Sequence, residues 1–380
     1  MVKKYNMNIV NNHNRYQRQI QLKEIGLVGQ DKIAQAKVLV IGAGGLGCPA
    51  LQYLAAAGVG TIGIIDFDVV EMSNLQRQIL YSVDDIGQPK AIMAAKKLEA
   101  LNPEITIKPY NFQITNKNAL EILEGYDIII DGSDNFTTRY LINDACMLLD
   151  KPLIYGAVLR FEGQIGVFNF VNAATQIKTN YRDLFPNPPD LSSSISCNDV
   201  GVLGVIPGII GTMQATEALK IITGVGKPLT NTIISYNALD NSFYDCEIVA
   251  SSTLDFPKTK AAFLIYNYDW FCNSNFEIEK ISIEEFEALR DQEKITIIDV
   301  REIGELPVVD EFPFIAIPLS ELENSIFQID TENKVVVFCK SGQRSQKAIK
   351  ILIEKFPDCK AFSLNGGIDK WKIKNLKNRS

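Results

Sequence analysis

The sequence predicts an α/β protein in which a doubly wound mixed sheet is followed by a second, small α/β domain. Apolar strands alternate with helical segments from Lys37 onward, and the alternation restarts near residue 278 after a break. The length of 380 residues agrees with two domains, because a single hydrophobic core rarely grows beyond about 250–300 residues. We expect the domains at residues 1–250 and 278–380, with a linker at 251–277.

The first domain begins with a strand, a helix and a second strand. The strand VLVIG precedes the Ala/Leu-rich stretch PALQYLAAAG, and TIGIID follows it. The pattern continues with helices near 90–101 and 118–123 and strands near 105–110 and 126–131. This alternation predicts a parallel or mixed sheet covered by helices on both faces. The segments PLIYGAVL, GQIGVFNF, TIISYNAL and DCEIV predict strands that extend the sheet, and an apolar helix is expected at 205–223.

The linker and the second domain follow a change in composition near Ser251. The stretch SSTLDFPKTKAAF shows no helix or strand periodicity and contains Pro257. Past residue 277, the sequence predicts the helix SIEEFEALR, the strands ITIIDV and KVVVFC, the helix SQKAIKILIEKF and the short strand CKAFSL. A length of about 100 residues is normal for a small domain.

The composition excludes several classes of protein. Hydrophobic residues make up 46% and charged residues 22%, as in a folded globular protein. The apolar runs are shorter than the roughly 18–20 residues of a membrane-spanning helix, and the polar start lacks a secretory signal, so we expect a cytoplasmic protein without a membrane partner. The net charge of −7 gives no positive field for nucleic acid.

Histidine and cysteine usage restricts the chemistry further. The single histidine, His13, argues against histidine-based acid–base catalysis and against a His-rich metal site. Seven cysteines without a C-x-x-C pair argue against a disulfide framework and against a Cys-only zinc site. Catalysis is therefore expected from Asp, Arg, Lys, Cys and backbone amides.

A glycine-rich loop follows the first strand. Gly42, Gly44 and Gly47 form G-x-G-x-x-G between this strand and a helix, where backbone amides can hold a phosphate. Asp66 ends the second strand, where a carboxylate can accept hydrogen bonds from ribose hydroxyls. These residues suit NAD and ATP equally well, and the loop can also be a tight turn without a ligand.

Charged residues downstream favour ATP over NAD. Asn74 and Arg77 in SNLQRQ, and Lys90 in GQPK, can line the crevice at the carboxyl edge of the sheet. Cations there balance the charge of a leaving pyrophosphate, which a dinucleotide site does not require. Arg15 and Arg18 in RYQRQ can join them. Asp134 in DGSDN follows the fourth strand and can hold Mg²⁺ against the phosphates.

Seven ordered motifs between Arg15 and Tyr244 resemble one enzyme family. They are RYQRQ, GAGGLG, IIDFD, SNLQRQ, GQPK, DGSDN and CNDVGVLGVIPGIIGTMQATEALK. This part of the chain resembles the MoeB/ThiF/HesA family, Rossmann-like adenylyltransferases that activate ubiquitin-like sulfur-carrier proteins. The resemblance implies that the carrier's C-terminal glycine carboxylate attacks the α-phosphate of ATP, giving an acyl-adenylate and pyrophosphate. That carboxylate is already ionised at neutral pH, so no proton-abstracting base is required.

The resemblance also implies roles for single residues. Arg18 corresponds to the arginine that this family inserts from a partner subunit, so a homodimer is implied. Asp66 would bind the ribose and Asp134 would coordinate Mg²⁺. Arg77 and Lys90 would surround the phosphates. The whole nucleotide site implied in this way is Gly42, Gly44, Gly45, Gly47, Asp66, Asn74, Arg77, Lys90, Asp134 and Asn135.

Cysteine positions of the family are changed in one place and kept in another. Most members carry two C-x-x-C pairs that bind zinc, the first in a segment like CYRCLFP. Here the segment is NYRDLFP, with Asn180 and Asp183 at the cysteine positions, so we expect no structural zinc. Cys197 in SISCNDVGVLG matches a position at which the family forms a thioester or acyl disulfide with the carrier. The alternative for Cys197 is a spare thiol on a loop.

The second domain carries a short cysteine loop. Cys339 ends a strand, and Arg344 follows five positions later, ahead of a helix. Amides in such a loop form an anion cradle that stabilises a thiolate. Cysteine phosphatases space these two residues by six positions. The shorter loop, with IIDVRE, IPLSEL and LNGGIDKW, resembles the rhodanese sulfurtransferases over 282–372. The resemblance implies a persulfide in the loop Cys339, Lys340, Ser341, Gly342, Gln343 and Arg344.

Two further features belong to this second resemblance. Asp299 and Arg301 match structural and loop residues of the rhodanese pattern. The segment ELPVVDEFPFIA departs from the glycine- and histidine-containing motif that usually precedes IPL.

Together the motifs predict one reaction sequence. ATP activates the carrier's C-terminal glycine, sulfur from a Cys339 persulfide attacks the acyl-adenylate or a Cys197-linked intermediate, and a carrier thiocarboxylate results. The expected partners are a sulfur carrier ending in Gly-Gly, a sulfur donor such as a cysteine desulfurase, and a second copy of the chain. The alternatives are an NAD-dependent oxidoreductase and a non-catalytic scaffold for persulfide relay or carrier binding. Molybdopterin, thiamine and tRNA-thiolation pathways all stay open.

Overall fold

The computed structural model describes residues 14–186, 201–251, 256–268, 278–292, 294–331, 333–356 and 359–378. The chain divides into two compact units, Met1–Phe271 and Cys272–Ser380. This division falls inside the segment that the sequence predicts as a linker, whose bounds stay a prediction. Within the described ranges, no helix is both long enough and apolar enough to span a membrane.

An eight-stranded mixed sheet forms the centre of the first unit. Its strands are β1 (Lys37–Ile41), β2 (Thr61–Ile65), β3 (Thr106–Tyr110), β4 (Ile128–Asp131), β5 (Leu153–Leu159), β6 (Glu162–Phe168), β7 (Thr232–Asn237) and β8 (Ser242–Glu247). The order is β3-β2-β1-β4-β5-β6-β7-β8, with β1 to β5 parallel and β6 to β8 antiparallel. The predicted doubly wound mixed sheet is therefore confirmed. The strand order reverses between β1 and β4, and ligands bind at such a point beyond the carboxyl ends of the strands.

Helices cover both faces of this sheet. They are α1 (residues 14–20), α2 (Gly26–Gln35), α3 (Gly47–Ala57), α4 (Lys90–Leu101), α5 (Ala119–Glu124), α6 (Phe136–Leu149), α7 (Tyr181–Leu184), α8 (Val205–Thr223) and α9 (Lys260–Ile265). Alternate residues of β1 enter opposite cores: Val38 and Val40 pack with α3, α4 and α8, whereas Leu39 and Ile41 pack with α5 and α6. This alternation follows from the two-residue period of a strand.

Two segments differ from the sequence-based expectation. Residues 256–268, inside the predicted linker, pack on the first unit, because Phe263 and Tyr268 are buried in the same core as α6. A helix of six residues, α9, is too short for its periodicity to stand out. The segment NYRDLFP, for which no helix is predicted, contains the single helical turn α7.

A five-stranded parallel sheet forms the second unit. Its strands are β9 (Lys280–Ile281), β10 (Ile295–Asp299), β11 (Ile315–Ala316), β12 (Lys334–Phe338) and β13 (Ala361–Leu364), in the order β11-β10-β12-β13-β9. The helices are α10 (Ile283–Gln292), α11 (Leu322–Ser325), α12 (Gln343–Lys355) and α13 (Gly367–Asn378). The predicted small α/β domain is confirmed. The central strand β12 is buried from Val335 to Phe338 and delivers Cys339 to the carboxyl edge of the sheet.

Candidate active site

The glycine loop lies between β1 and α3, at the point where the strand order reverses. Gly42 has φ +94°, and a Cβ on it would lie 2.6 Å from the carbonyl oxygen of Gly132, just after β4. A Cβ on Gly47 would lie 1.9 Å from the Gly42 carbonyl oxygen. Both positions therefore exclude a side chain. Gly44 is different: among the described residues, a Cβ there would meet only Gln78 Nε2, at 3.6 Å, so this part of the loop is open to a ligand.

Asp66 connects the end of β2 to the glycine loop. Its Oδ2 accepts a hydrogen bond from Ala43 N at 2.8 Å, and its Oδ1 accepts one from Asp68 N at 2.9 Å. Burial raises the pKa of the Asp66 carboxyl, while Lys90 and these two amides oppose that rise. Each carboxylate oxygen has further acceptor capacity, so ribose hydroxyls can be accommodated here.

Lys90 is buried beside Asp66 and has its own carboxylate partner. Its Nζ donates to Asp68 Oδ2 at 3.0 Å, and its backbone N–H donates to Asp68 O at 2.9 Å. The Lys90 side chain is 7% exposed, and a buried cation requires such a partner. Asp68 was not identified from the sequence, although this residue is the second acidic residue of the IIDFD motif, two positions after Asp66.

Arg77 lies over the glycine loop. Its Cγ would be 3.6 Å from a Cβ on Gly45, whose other neighbour is Pro207 of α8 at 3.0 Å. Arg77 Nη1 donates to Ser73 O at 3.1 Å, and among the described residues no carboxylate pairs with its guanidinium. Asn74 closes the preceding turn by accepting a hydrogen bond from Glu71 N at 3.1 Å. Arg77 therefore brings a cation with unused donors to the loop.

Asp134 and Asn135 follow β4 at the same edge of the sheet. Both are exposed. Asp131, at the end of β4, fixes the turn before them, because its Oδ1 accepts from Ser133 N at 2.9 Å and from Ser133 Oγ at 2.6 Å. Asn135 caps α6 by accepting a hydrogen bond from Thr138 N at 2.9 Å. The described ranges contain no group of three or more His, Cys, Asp or Glu suited to a metal.

Arg18 does not reach this loop within its own chain. It is exposed on α1. Neighbouring residues of α1 contact the far ends of two helices: Gln19 Nε2 donates to Ala57 O at 3.2 Å, and Asn102 Nδ2 donates to Tyr16 Oη at 2.8 Å. Helix α3 begins at the glycine loop and has 11 residues, so its end at Ala57 lies about 16 Å away. The Arg18 of one chain is thus at the opposite edge of the sheet.

Asn180 and Asp183, at the family's zinc-ligand positions, bind each other. Asn180 N and Nδ2 both donate to Asp183 Oδ2, at 2.7 Å and 2.6 Å, and Asp183 Oδ1 accepts from Ser251 N at 2.7 Å. We call this arrangement the Asn180–Asp183–Ser251 clasp. Its side chains form a helix cap and join two chain segments. Cys197 lies outside the described residues.

Buried charges lie directly beside the clasp. Arg182 Nε and Nη2 donate to Asp144 Oδ1 and Oδ2, at 2.8 Å and 2.7 Å. Tyr268 Oη donates to Asp144 Oδ2 at 2.8 Å. Removing one partner of a buried ion pair is strongly destabilising, so this network fixes residues 256–268 on the first unit.

The cysteine loop of the second unit holds its sulfur in a buried cradle. Cys339 is 1% exposed, and its Sγ accepts a hydrogen bond from Gly342 N at 3.1 Å. The thiol donates to Ser345 Oγ at 3.8 Å, and Ser345 Oγ lies 2.8 Å from Ser363 Oγ. Gly342 has φ +96°, which a side chain would strain. These contacts suit a sulfur atom that becomes an anion.

Arg344, at the end of the loop, forms a two-pronged ion pair with Glu305. Its Nη1 donates to Glu305 Oε1 and its Nη2 to Oε2, the latter at 2.6 Å. Hydrogen bonding from Arg344 lowers the pKa of Glu305 to about 2. Arg301 pairs with Asp299 and donates to Pro307 O at 2.7 Å, which holds the segment containing Glu305 beside the loop. Sequence reasoning missed Glu305, since no local pattern pairs residues 39 positions apart.

Comparisons with known proteins agree with these two sites. Residues 16–255 match the profile of the ThiF family, and residues 282–374 match the rhodanese-like domain. A sulfur carrier protein adenylyltransferase from Thermus thermophilus is 50% identical over 229 residues, covering 60% of this chain and 84% of that protein. The probable adenylyltransferase/sulfurtransferase MoeZ from Mycobacterium tuberculosis is 39% identical over 367 residues, covering 94% and 92%.

A vertebrate relative and a solved structure extend the comparison. The adenylyltransferase and sulfurtransferase MOCS3 from Xenopus laevis is 38% identical over 392 residues, covering 94% of this chain and 85% of that protein. The crystal structure of E. coli MccB shares the fold of the first unit, with a TM-score of 0.55, 23% identity, and coverage of 64% of this chain and 71% of that chain.

Proposed function

Because the chain belongs to the ThiF family and ends in a rhodanese-like domain, we propose that its two sites carry out consecutive steps of one reaction. The first step is ATP-dependent adenylylation of the C-terminal glycine of a ubiquitin-like sulfur carrier. The second is sulfur transfer from Cys339, which gives the carrier thiocarboxylate. The observation that carries the proposal is the pairing, in one chain, of a glycine loop flanked by Arg77 with a buried cysteine cradle. Two relatives that span nearly the whole chain, MoeZ and MOCS3, are named for both activities, which favours this function over an NAD-dependent oxidoreductase or a scaffold.

In the first step, the chain supplies positioning and charge. The glycine-loop amides would hold phosphate oxygens and Asp66 would accept the ribose hydroxyls. The carrier's carboxylate attacks the α-phosphorus, forming a C–O–P link, and the bond to pyrophosphate breaks. Arg77 would stabilise the charge that develops on the pyrophosphate, since its guanidinium has donors to spare. Lys90 is neutralised by Asp68, so we assign it mainly to holding Asp66 and Asp68 in place.

Asp134 fits the requirements of a Mg²⁺ ligand. Mg²⁺ in nucleotide sites is bound by one or two carboxylates together with substrate phosphates and water, so one exposed carboxylate beside the glycine loop is sufficient. When bound, Mg²⁺ supplies positive charge to the phosphates. Asn135, which caps α6, would fix the backbone that presents Asp134.

In the second step, the terminal sulfur of a Cys339 persulfide attacks the carrier's acyl carbon. A C–S bond forms, AMP leaves with the electron pair of the broken C–O bond, and an acyl disulfide remains on Cys339. A second thiolate, supplied by an external thiol, attacks the Cys339 sulfur and releases the thiocarboxylate. The resulting disulfide is then reduced by an external dithiol. The persulfide itself would come from a protein donor such as a cysteine desulfurase.

A second copy of the chain would complete the adenylylation site. Arg18 is exposed and remote from its own glycine loop, so only another chain's Arg18 could reach the phosphates. The segment after β2 also exposes several apolar side chains near the loop, which a second copy could cover. They are Phe67, Val69, Met72, Ile79 and Val83.

Variants of the two sites separate the two steps. The full-length chain is tested with ATP, Mg²⁺ and a panel of ubiquitin-like carriers ending in Gly-Gly. Cys339→Ala should keep carrier-dependent exchange of labelled pyrophosphate into ATP within about twofold and lose thiocarboxylate formation. Arg77→Ala should reduce exchange by roughly a hundredfold, the usual cost of losing a charge-stabilising group.

The exposed thiol of Cys246 provides a matched control. Cys246→Ala should leave both activities unchanged. A wild-type chain that shows no exchange with any carrier of the panel would refute adenylylation. Thiocarboxylate formation by Cys339→Ala at the wild-type rate would refute the role of Cys339.

A further inference from the structure

One side chain beside the glycine loop is buried without a hydrogen-bond partner for its oxygen. Gln78 is 4% exposed, and its Oε1 accepts no hydrogen bond within the described part of the chain. An unsatisfied buried polar group costs about 1–3 kcal/mol, so such a group in a native protein requires an explanation.

The backbone of Gln78 fixes where its side chain lies. Gln78 N donates to Asn74 O at 2.9 Å, and Gln78 O accepts from Tyr81 N at 3.1 Å. Tyr81 in turn donates from its hydroxyl to Ala43 O at 2.9 Å, which binds the segment to the glycine loop. The contacts of the Gln78 backbone and of Tyr81 therefore hold the carboxamide beside the loop, and the carboxamide itself makes no hydrogen bond to the described residues.

The amide faces the open part of the loop. Gln78 Nε2 would lie 3.6 Å from a Cβ on Gly44, and in the part of the chain that the structure describes it is the one neighbour within 4 Å that this Cβ would meet. Arg77 covers the next glycine, since its Cγ would be 3.6 Å from a Cβ on Gly45. The neutral side chain of Gln78 and the charged side chain of Arg77 thus lie over two consecutive glycines, Gly44 and Gly45.

We propose that the Gln78 carboxamide binds the nucleotide, with Nε2 donating to a phosphate oxygen held by the glycine loop. The inference rests on ATP use by the first unit. Phosphate oxygens accept hydrogen bonds and cannot donate them, so the amide nitrogen is the group they require. Water around the phosphates can donate to Oε1, which satisfies the orphan oxygen once the nucleotide is bound.

Two substitutions test this in the full-length chain. Affinity for α,β-methylene-ATP with Mg²⁺ is measured by calorimetry, and the melting temperature is measured with and without that analogue. Gln78→Met keeps the volume and removes the amide, so the Kd should rise roughly 10- to 150-fold, which is the equivalent of about 1.5–3 kcal/mol for a lost hydrogen bond to a charged group. Gln78→Glu places a carboxylate against the phosphates, and its Kd should rise further.

The melting temperature gives a second readout that a merely structural role would not produce. Without nucleotide, Gln78→Met should melt at or above the wild-type temperature, because the orphan polar atom is gone. Its stabilisation by the analogue should be smaller than that of the wild type. The exposed Gln88 supplies the control, and Gln88→Met should change neither quantity.

The outcomes separate this inference from the proposed function. If the wild type binds the analogue and Gln78→Met binds it with a Kd within twofold, Gln78 is not a nucleotide ligand. If Gln78→Met does not fold, Gln78→Glu decides, and wild-type affinity in that variant has the same meaning. If the wild type itself does not bind the analogue, ATP use is refuted and this inference falls with it.

Discussion

Single carboxylates in both units are held by a cation or by backbone amides. Asp68 pairs with Lys90, Asp66 accepts two backbone N–H groups, and Glu305 pairs with Arg344. These contacts place each charge before any substrate binds. Preorganisation of this kind is what a site that works by electrostatics requires, because the protein then need not reorganise during the reaction.

The Glu305–Arg344 pair predicts a pH dependence of stability. The folded pKa of Glu305, about 2, lies below the value near 4.3 of an unfolded glutamate. Its contribution to stability is therefore fully present above the unfolded pKa and is lost as the pH falls through the folded pKa. Glu305→Gln should lower the urea midpoint of the second unit at pH 6, and the difference from wild type should shrink as the pH approaches 3.

Fluorescence of the buried Trp371 can follow this unit in a Trp270→Phe background of the full chain. Glu321→Gln alters an exposed carboxylate that, among the described residues, is in no ion pair, and it serves as the control. A difference between Glu305→Gln and wild type that stays constant from pH 6 to pH 3 would contradict the ion pair.

At the scale of elements, the glycine loop and α3 form one unit with two kinds of glycine. Gly47 is required by packing, since a Cβ there would overlap the Gly42 carbonyl, whereas Gly44 has ordinary space around it. Gly47→Ala should lower the melting temperature by roughly 5 °C, because overpacking costs about 1–3 kcal/mol and each kcal/mol shifts a domain of this size by about 2–4 °C.

Gly44→Ala should melt within about 2 °C of the wild type, because its Cβ would make only an ordinary van der Waals contact. It should nevertheless bind α,β-methylene-ATP more weakly, since a methyl group then occupies the open part of the loop. Circular dichroism melts and calorimetry measure the two quantities. Equal destabilisation by both substitutions would show that the loop is rigid throughout and that its two glycines do not differ.

Elements with strong local patterns were predictable from the sequence. Helix α8 has the predicted bounds, Val205–Thr223, because an apolar run ends at Gly224, whose φ of +76° stops the helix. The strands β9 and β11 have two residues each and show no period. Contacts between distant positions, such as Arg344 with Glu305, depend on the fold and leave no local trace.

The candidate site residues also divide into those whose positions the sequence predicts and those whose positions it does not. The glycine loop, Asp66 and Arg77 were predictable because their motifs follow strands whose carboxyl ends meet at one edge. Gln78 was not, because its burial depends on Tyr81 and the loop together. The separation of Arg18 from the glycine loop of its own chain was implied only by the family resemblance. The sequence alone gives no position for α1 relative to the sheet.

At the scale of the whole molecule, the proposed dimer would complete each adenylylation site with Arg18 of the other chain. If Arg18 acts across a dimer, two inactive variants can complement each other. Arg18→Ala and Arg77→Ala chains, mixed and allowed to exchange subunits, should regain about a quarter of wild-type pyrophosphate exchange, because half of the randomly assorted dimers hold one complete site.

Sedimentation measurements on the same samples verify that dimers form and exchange. Lys96, exposed on α4, gives the control, since Lys96→Ala should be active without mixing. Exchange that stays at the level of the separate variants after confirmed subunit mixing would show that Arg18 does not serve the partner's site.

The Asn180–Asp183–Ser251 clasp has a consequence for the enzyme under oxidative stress. A zinc site built from thiolates, which the family resemblance implies at these positions, would be open to attack by peroxide and by disulfides, because its ligands are sulfur atoms. Here an amide, a carboxylate and a backbone N–H make the connection, and none of them is oxidisable. The connection between residues 180–183 and Ser251 is therefore resistant to peroxide and disulfide reagents that would oxidise a thiolate at the same place.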